Sequence, residues 1–325
     1  MVSNYRRMIG ATGALLICAQ IASAGAAFAQ DKMKVAAGQR GNWDSAVPEI
    51  MQRSGIAKKY NLELEILYTQ GSGETQQAVI SSAVDVGVAI GTLGALGAYS
   101  KGAPIRIIGA QSTGAGDLYW YAKPESGITS IAGNVGKTIA YSTNGSSTQT
   151  VVKAFTEELG TKATPTATGS PTATLTQVMS GQVDIGWSAP PHGLELLDEG
   201  KIKKLATGND TSLKDQTVRI TATSVEVMTK KRDQINRFMQ AYRDTVDYMY
   251  TNPEVMKVYS EWLQISPALA LRTRDDFFAR SAIEPDNMKG LDKIVQDAVA
   301  FKFANAVLTK EQLADLIQIP APIKK

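Results

Sequence analysis

The segment Ser81-Ser82-Ala83-Val84-Asp85-Val86-Gly87 returns in the second half of the chain as Ser180-Gly181-Gln182-Val183-Asp184-Ile185-Gly186. The likeness extends on both sides. Upstream, Gly71-Ser72 opens a helix-length segment as Gly169-Ser170 does. Downstream, each copy leads into a loop, a helix, a Lys/Gly turn and another strand. Two unrelated βαβ segments can resemble each other by chance, but the shared order of four elements favours one unit used twice, and so two similar lobes.

Around this repeat, short apolar runs alternate with amphipathic stretches of helix length, which predicts an α/β protein with largely parallel sheets. The predicted strands are 33–37, 62–68, 84–90 and 105–110, then 138–141, 164–167, 183–187 and 202–206. From about Thr229 onward the chain reads as helices: 232–250, 253–263, 267–278, 286–301 and 309–317. Pro253 and Pro267 fall near the starts of two of these, where a missing amide hydrogen costs little. The β-prone stretches 107–117 and 217–227 flank the second copy and are expected to cross between the lobes as a two-strand hinge. Lobe 1 is then 30–116 plus 220–325, with the helical C-terminal extension packed on it, and lobe 2 is 117–219.

The N-terminus has the layout of a cleavable export signal: Arg6 and Arg7, an apolar run, then Ala27-Phe28-Ala29 with small residues at alternate positions. A signal peptide over 1–29 and an extracytoplasmic, periplasmic location follow as expectations. The Arg6-Arg7 pair has little further twin-arginine character around it, so ordinary secretion is the simpler reading. The single cysteine, Cys18, lies in this leader behind the bulky Ile17, against lipid attachment. A mature chain without cysteine has no disulfide, thiol nucleophile or thiolate metal site.

Charge excludes another class. The chain has 34 Lys and Arg against 31 Asp and Glu, giving +3, and loss of Arg6 and Arg7 would leave +1. The basic residues are spread among acids rather than gathered in a stripe, which argues against nucleic acid as a partner.

In open parallel sheets, ligands collect beyond the carboxyl ends of the strands. Here those positions carry polar, glycine-rich loops. The candidate ligand-binding residues are Arg40, Asn42 and Trp43 after the first strand, Gly73, Glu74 and Thr75 after the second, and Gly91 and Thr92 after the third. The second lobe adds Ser146, Ser147 and Thr148, then Trp187, Ser188 and His192. Segments such as Asn144-Gly145-Ser146-Ser147-Thr148 place backbone donors and hydroxyls at the positive end of a helix, suited to an anionic or strongly polar group, although plain capping needs the same residues. Trp43 and Trp187 occupy corresponding loops and are candidates to sandwich an apolar part of a ligand, with core packing the competing role. Arg40 can pair with a carboxylate or sulfonate through its planar fork, and Glu74 can receive an amine or stabilise its helix start. His192 is the sole histidine. No catalytic residue, metal site or cofactor is expected, because phosphate-loop, dinucleotide, nucleophile-elbow and zinc-protease patterns are all absent.

The run Ile90-Gly91-Thr92-Leu93-Gly94-Ala95-Leu96, the loop Tyr141-Ser142-Thr143-Asn144-Gly145-Ser146-Ser147-Thr148 and the segment Trp187-Ser188-Ala189-Pro190-Pro191 resemble the nitrate/sulfonate/taurine-type substrate-binding proteins of ABC transporters. The resemblance spans the mature chain, and members carry nitrate, alkanesulfonates, taurine, thiamine precursors, riboflavin or aromatic acids. It implies a type II periplasmic-binding-protein fold, a small anionic or zwitterionic organic solute held between the lobes, and an ABC permease and ATPase as partners of a monomer. It implies no reaction. His192 departs from the aromatic residue expected at its position. Two alternatives carry different chemistry: a thiamine-pyrimidine-synthase-like enzyme, which would want a cysteine cluster this chain lacks, and the ligand-binding subunit of a sensory receptor.

Overall fold

The computed structural model describes residues 30–323, and the expected signal peptide at 1–29 lies outside them. Among the described residues ten strands are formed: β1 (Asp31–Ala37), β2 (Leu62–Tyr68), β3 (Val86–Gly91), β4 (Ile105–Thr113), β5 (Tyr119–Ala122), β6 (Thr138–Tyr141), β7 (Thr164–Ala167), β8 (Gly186–Ser188), β9 (Lys203–Thr207) and β10 (Thr217–Ser224). The helices up to the end of the second copy are α1 (Val47–Arg53), α2 (Ile56–Lys59), α3 (Ser72–Ile80), α4 (Thr92–Ser100), α5 (Ser147–Glu158), α6 (Pro171–Met179) and α7 (Leu194–Asp198). The helical remainder comprises α8 (Val225–Lys230), α9 (Arg232–Thr251), α10 (Glu254–Leu263), α11 (Pro267–Phe277), α12 (Leu291–Ala300) and α13 (Lys310–Leu316).

Five strands form one sheet in the order β2-β1-β3-β10-β4. β1 pairs in parallel with β2 and β3, whereas β10 runs antiparallel between β3 and β4. A strand from late in the chain thus inserts between β3 and β4 of the first sheet, which ties the two halves of this lobe together. The long pairing of β10 with β4, from Thr217 opposite Thr113 to Ser224 opposite Ile105, places the crossing just beyond their Thr113/Thr217 ends. The second lobe is less parallel than the alternation suggests. β8 and β9 flank β5 antiparallel, β6 pairs with β7 in parallel, and a parallel bridge from Ile139 to Ile185 joins β6 to the start of β8. Its strands are short, so their few apolar residues carry too little pattern to fix direction.

Both faces of the first sheet are covered. On one side α9 lays Phe238, Met239, Tyr242 and Val246 against Trp43, Val47 and Ile50. On the other, Val79 of α3, Leu93 and Leu96 of α4 and Ile294 of α12 close the layer. This two-sided burial explains why β3 reads as a continuous apolar run. The second lobe packs around Trp120, whose ring meets Phe155 edge-on at 4.9 Å and whose Nε1–H donates to the Ala140 carbonyl at 2.8 Å.

The repeat has a physical basis. α3 and α6 both end at a serine, Ser81 and Ser180, followed by a residue in the left-handed region, Ser82 at φ 55° and Gly181 at φ 78°. The aspartate of each copy then accepts a backbone amide from the strand beside it. Asp85 Oδ2 takes Lys34 N–H and Asp184 Oδ2 takes Thr138 N–H, both at 2.9 Å. A lysine sits on the other oxygen in each case, Lys231 at 2.8 Å and Lys137 at 3.1 Å.

Candidate functional site

The starts of α3, α4 and α5 meet face to face in the seam between the lobes. Gly73 N–H donates to Thr143 Oγ1 at 3.0 Å, and Ser147 N–H donates to Ser72 Oγ at 3.2 Å. Glycine is what lets the backbones come this close. A Cβ on Gly73 would stand 2.0 Å from the Asn144 carbonyl oxygen, and one on Gly94 2.0 Å from that of Gly145. One on Gly91 would stand 2.6 Å from Ser147 N.

Two cavities lie along this seam. The outer one is a groove of about 630 Å³ walled by Arg40, Tyr68 and Trp262 on one side and Ser170, Thr172 and His192 on the other. The inner one is a small pocket of about 10 Å³, the room of about one water. Its walls include Asn42, Ser45 and Ser72 from the first lobe, Ser142, Ser147, Thr148 and Trp187 from the second, and Arg219 of β10. Gln39 borders both cavities. It holds φ at 98°, a conformation that costs a non-glycine residue energy and tends to persist only where surroundings impose it.

The predicted residues divide accordingly. Asn42, Ser147, Thr148 and Trp187 line the inner pocket, and Arg40 and His192 line the outer groove. Gly73 and Gly91 form the seam, as above. Ser146 caps α5 by accepting Gln149 N–H, and its Oγ, with those of Ser142 and Thr148, forms a hydroxyl cluster linked at 2.8 Å. Glu74 is exposed and accepts Gln70 N–H at 2.9 Å, which stabilises the helix start. Thr75 is buried against Thr69, and Thr92 is buried at the first position of α4 with its hydroxyl unpartnered. Ser188 lines neither cavity but a smaller one of about 90 Å³ that shares Thr172 and His192 with the outer groove, and it donates to the His192 carbonyl at 3.0 Å.

The tryptophan sandwich does not form. Trp43 is fully buried in the first lobe's core, 4.8 Å from the Tyr259 ring centre, and its Nε1–H donates to Tyr250 Oη at 3.2 Å. The chain turns sharply back over the sheet at Asp44–Ala46, which carries the indole inward beneath α9 and α10. Trp187 alone reaches the pocket.

Sequence reasoning missed Arg219, Asp44 and Asp117, which form a buried triad. Arg219 donates to both Asp117 oxygens at 2.8 and 2.5 Å, and its Nε stands 3.2 Å from Asp44 Oδ2. Burial raises the Asp44 carboxyl above its ordinary pKa of 3.8, against the pull of Arg219. Burial works against the Arg219 charge, but Asp117 and Asp44 outweigh it and hold its pKa above the usual value. Gln39 and Trp262 were also missed. Nothing in the sequence signals that a glutamine takes a left-handed backbone, or that a C-terminal helix delivers a tryptophan beside Arg40. That guanidinium lies 5.5 Å from the Trp262 ring centre and donates to its carbonyl at 3.1 Å.

His192 links the lobes. Its Nε2 donates to the Arg40 carbonyl at 3.1 Å, since a carbonyl can only accept. Burial pulls its pKa below the ordinary 6.5, partly offset by that bond. Beside it, Arg272 of α11 pairs with Asp198 of α7 at 2.5 Å across the same seam.

The fold recurs in solved structures. The alkanesulfonate-binding protein SsuA from Xanthomonas axonopodis pv. citri, bound to MOPS, superposes with a TM-score of 0.72 at 15% identity, over 89% of this chain and 98% of that one. The periplasmic nitrate-binding protein NrtA from Synechocystis PCC 6803 gives 0.66 at 13% identity, over 88% and 84%. A Candida albicans gene product, CA3427, described as having the generic periplasmic binding protein fold, gives 0.68 at 18% identity, over 91% and 98%. The architecture is therefore the periplasmic-binding-protein fold, in which two α/β lobes flank a cleft. Among curated proteins none matches in sequence. The family model described as NMT1/THI5 like matches residues 52–256, and the chain belongs to that family.

Proposed function

We propose that this protein captures a small organic solute between its lobes outside the inner membrane and delivers it to the permease and ATPase of an ABC importer. The observation that carries this reading is the seam itself: loops that follow strands of both lobes close on one shared pair of cavities. The lobes are divided near residues 116 and 220, and motion about β4 and β10 opens the seam. Closure then reports occupancy. A solute touching both lobes shifts the population, and moving it from mostly open to mostly closed takes roughly 5 kcal/mol of preference for the closed form.

The solute is anionic or zwitterionic, and its charged part belongs in the outer groove beside Arg40. No reaction is assigned to the seam, because its one imidazole is engaged on a carbonyl oxygen. The protein acts as a monomer after export by its leader. The test is calorimetry of the mature protein against sulfonates, aromatic carboxylates and pyrimidine compounds, followed by ATPase assays with the cognate permease complex in liposomes. Stimulation that requires both the protein and a bound solute supports the reading. A solute that binds tightly yet never stimulates any importer contradicts it.

A further inference from the structure

The inner pocket has a more specific chemistry than the groove. Asn42 and Trp187 both line it, at 3% and 0% exposure, and each keeps one buried polar atom without a partner: Asn42 Oδ1 and Trp187 Nε1. Leaving such atoms unpaired is costly, so a native site keeps them for something that will pair with them.

Which atom of Asn42 is free follows from the chain of bonds behind it. Gln39 Nε2–H donates to the Gln70 carbonyl at 3.3 Å, and a carbonyl can only accept. Gln39 Oε1 must then face Asn42, and it takes Asn42 Nδ2–H at 3.2 Å. That leaves Asn42 Oδ1, an acceptor, unpaired. Trp187 Nε1–H is a donor and nothing else. The pocket wall therefore carries one unmet acceptor, Asn42 Oδ1, and two donors without a hydrogen bond, Trp187 Nε1 and Arg219 Nε, the latter held 3.2 Å from the Asp44 carboxylate. Gln39 is a positioning residue, because it fixes the Asn42 amide the right way round.

Charge narrows the class further. Arg219 is the only basic side chain on the pocket wall, and its guanidinium is bonded to Asp117 and set against Asp44. With both carboxylates ionised this triad carries a formal charge of −1, and with one protonated it carries none. Neither state supplies a free cationic side chain for a sulfonate, nitrate or carboxylate head, and at the start of α5 the Ser147 N–H is already taken by Ser72 Oγ at 3.2 Å. Such a head also has no hydrogen to give Asn42 Oδ1, and an ammonium has no lone pair to take from Trp187.

We infer that the inner pocket takes the leading group of the solute, and that this group is uncharged and both donates and accepts a hydrogen bond, the primary carboxamide being the simplest example. This rests on the carrier reading above and separates two ends of one solute. The uncharged head enters while the seam is open and replaces the Ser147 to Ser72 bond. The remainder extends past Gln39 into the outer groove, where Arg40 and Trp262 receive a flat or anionic tail.

The experiment is calorimetry on the full mature protein with matched pairs: benzamide against benzoate, and 4-carbamoylbenzoate against terephthalate, with ethanesulfonate as the anionic reference. Each amide is expected to bind at least about tenfold more tightly than its acid, as a site with unmet polar atoms discriminates. Trp187→Phe removes the indole donor and is expected to bring the amide-to-acid ratio towards one. A purely structural loss would weaken both members of a pair alike and leave the ratio in place, and the wild-type comparison stands even where that variant folds poorly. Tighter binding of an acid or of ethanesulfonate overturns the head-group assignment while the carrier reading stands. Failure of every amide to bind overturns it too, and the carrier reading then keeps its own readout, stimulation of the importer.

Discussion

Arg219 and Asp117 form a two-bonded ion pair, 2.8 and 2.5 Å, where the chain crosses between its lobes. Asp117 lies between β4 and β5, and Arg219 sits in β10 opposite Gly91 and Ser112. The pair therefore joins the outgoing and returning crossings, and Asp44 from the first lobe completes it. Removing one partner of a buried ion pair leaves the other charge without compensation.

Arg219→Met is accordingly expected to lower the unfolding free energy in urea by about 3–5 kcal/mol, because two buried carboxylates lose their shared cation. A loss within about 0.5 kcal/mol, the range of ordinary surface substitutions, would mean that water already reaches the triad.

The glycine seam makes a different prediction. Gly94 lies inside α4, where alanine is by about 1 kcal/mol the better helix former, so Gly94→Ala should leave Tm unchanged or raise it. Its new methyl would meet the Gly145 carbonyl and hold the lobes apart. The expected outcome in small-angle scattering is a larger radius of gyration, with solute affinity down by about tenfold or more. A scattering curve and affinity like those of the wild type would show that closure tolerates a wider seam.

How much of this was legible in the sequence depends on the kind of interaction. Strands β2, β6 and β7 fall on the residues predicted for them, and the echo around Asp85 and Asp184 corresponds to the same turn and the same amide bond in both lobes. Local pattern carries such features because the groups that make them are neighbours in sequence or recur at a fixed spacing. The antiparallel arrangement of β8, β5 and β9 was not legible, since three-to-five-residue strands do not encode direction. Nor was the seam. Gly73 and Gly91 read as helix starts, whereas their requirement comes from Asn144 and Ser147, which only the closed fold brings opposite them. Trp43 shows the reverse error: a loop position suggested a ligand contact, while Tyr250 and Tyr259, over 200 residues away, draw its ring into the core.

Closure should also respond to pH through His192. Burial holds its pKa below 6.5 when the lobes are closed, so the closed form binds this proton less readily than the open form. The Arg40 carbonyl that accepts its Nε2–H favours the protonated ring but only partly offsets burial. The contribution to closure is therefore complete above pH 6.5 and declines as pH falls through and below that value. Solute affinity measured from pH 7.5 to 5 is expected to fall on the acid side and to lose this dependence in His192→Asn. An affinity that rises on acidification would reverse the sign.

Arg40→Ala tests the outer groove. For a solute with an anionic tail, losing a charge-assisted contact should cost more than about 1 kcal/mol, or roughly fivefold in affinity. A solute without charge should bind Arg40→Ala nearly as well as wild type. Affinity for the anionic solute within about twofold of wild type would restrict Arg40 to stacking on Trp262 as a wall of the groove.

The central claim is that solute and closure are linked, and the distance between the lobes measures it most directly. The only cysteine, Cys18, lies in the expected leader, so two introduced cysteines can carry spin labels without interference. Glu261→Cys on α10 and Thr176→Cys on α6 are both exposed and lie on opposite lobes. With a solute that binds in calorimetry, pulsed dipolar spectroscopy is expected to give one short, narrow distance, and without it a longer or broader distribution. The same distribution with and without saturating solute would contradict the account.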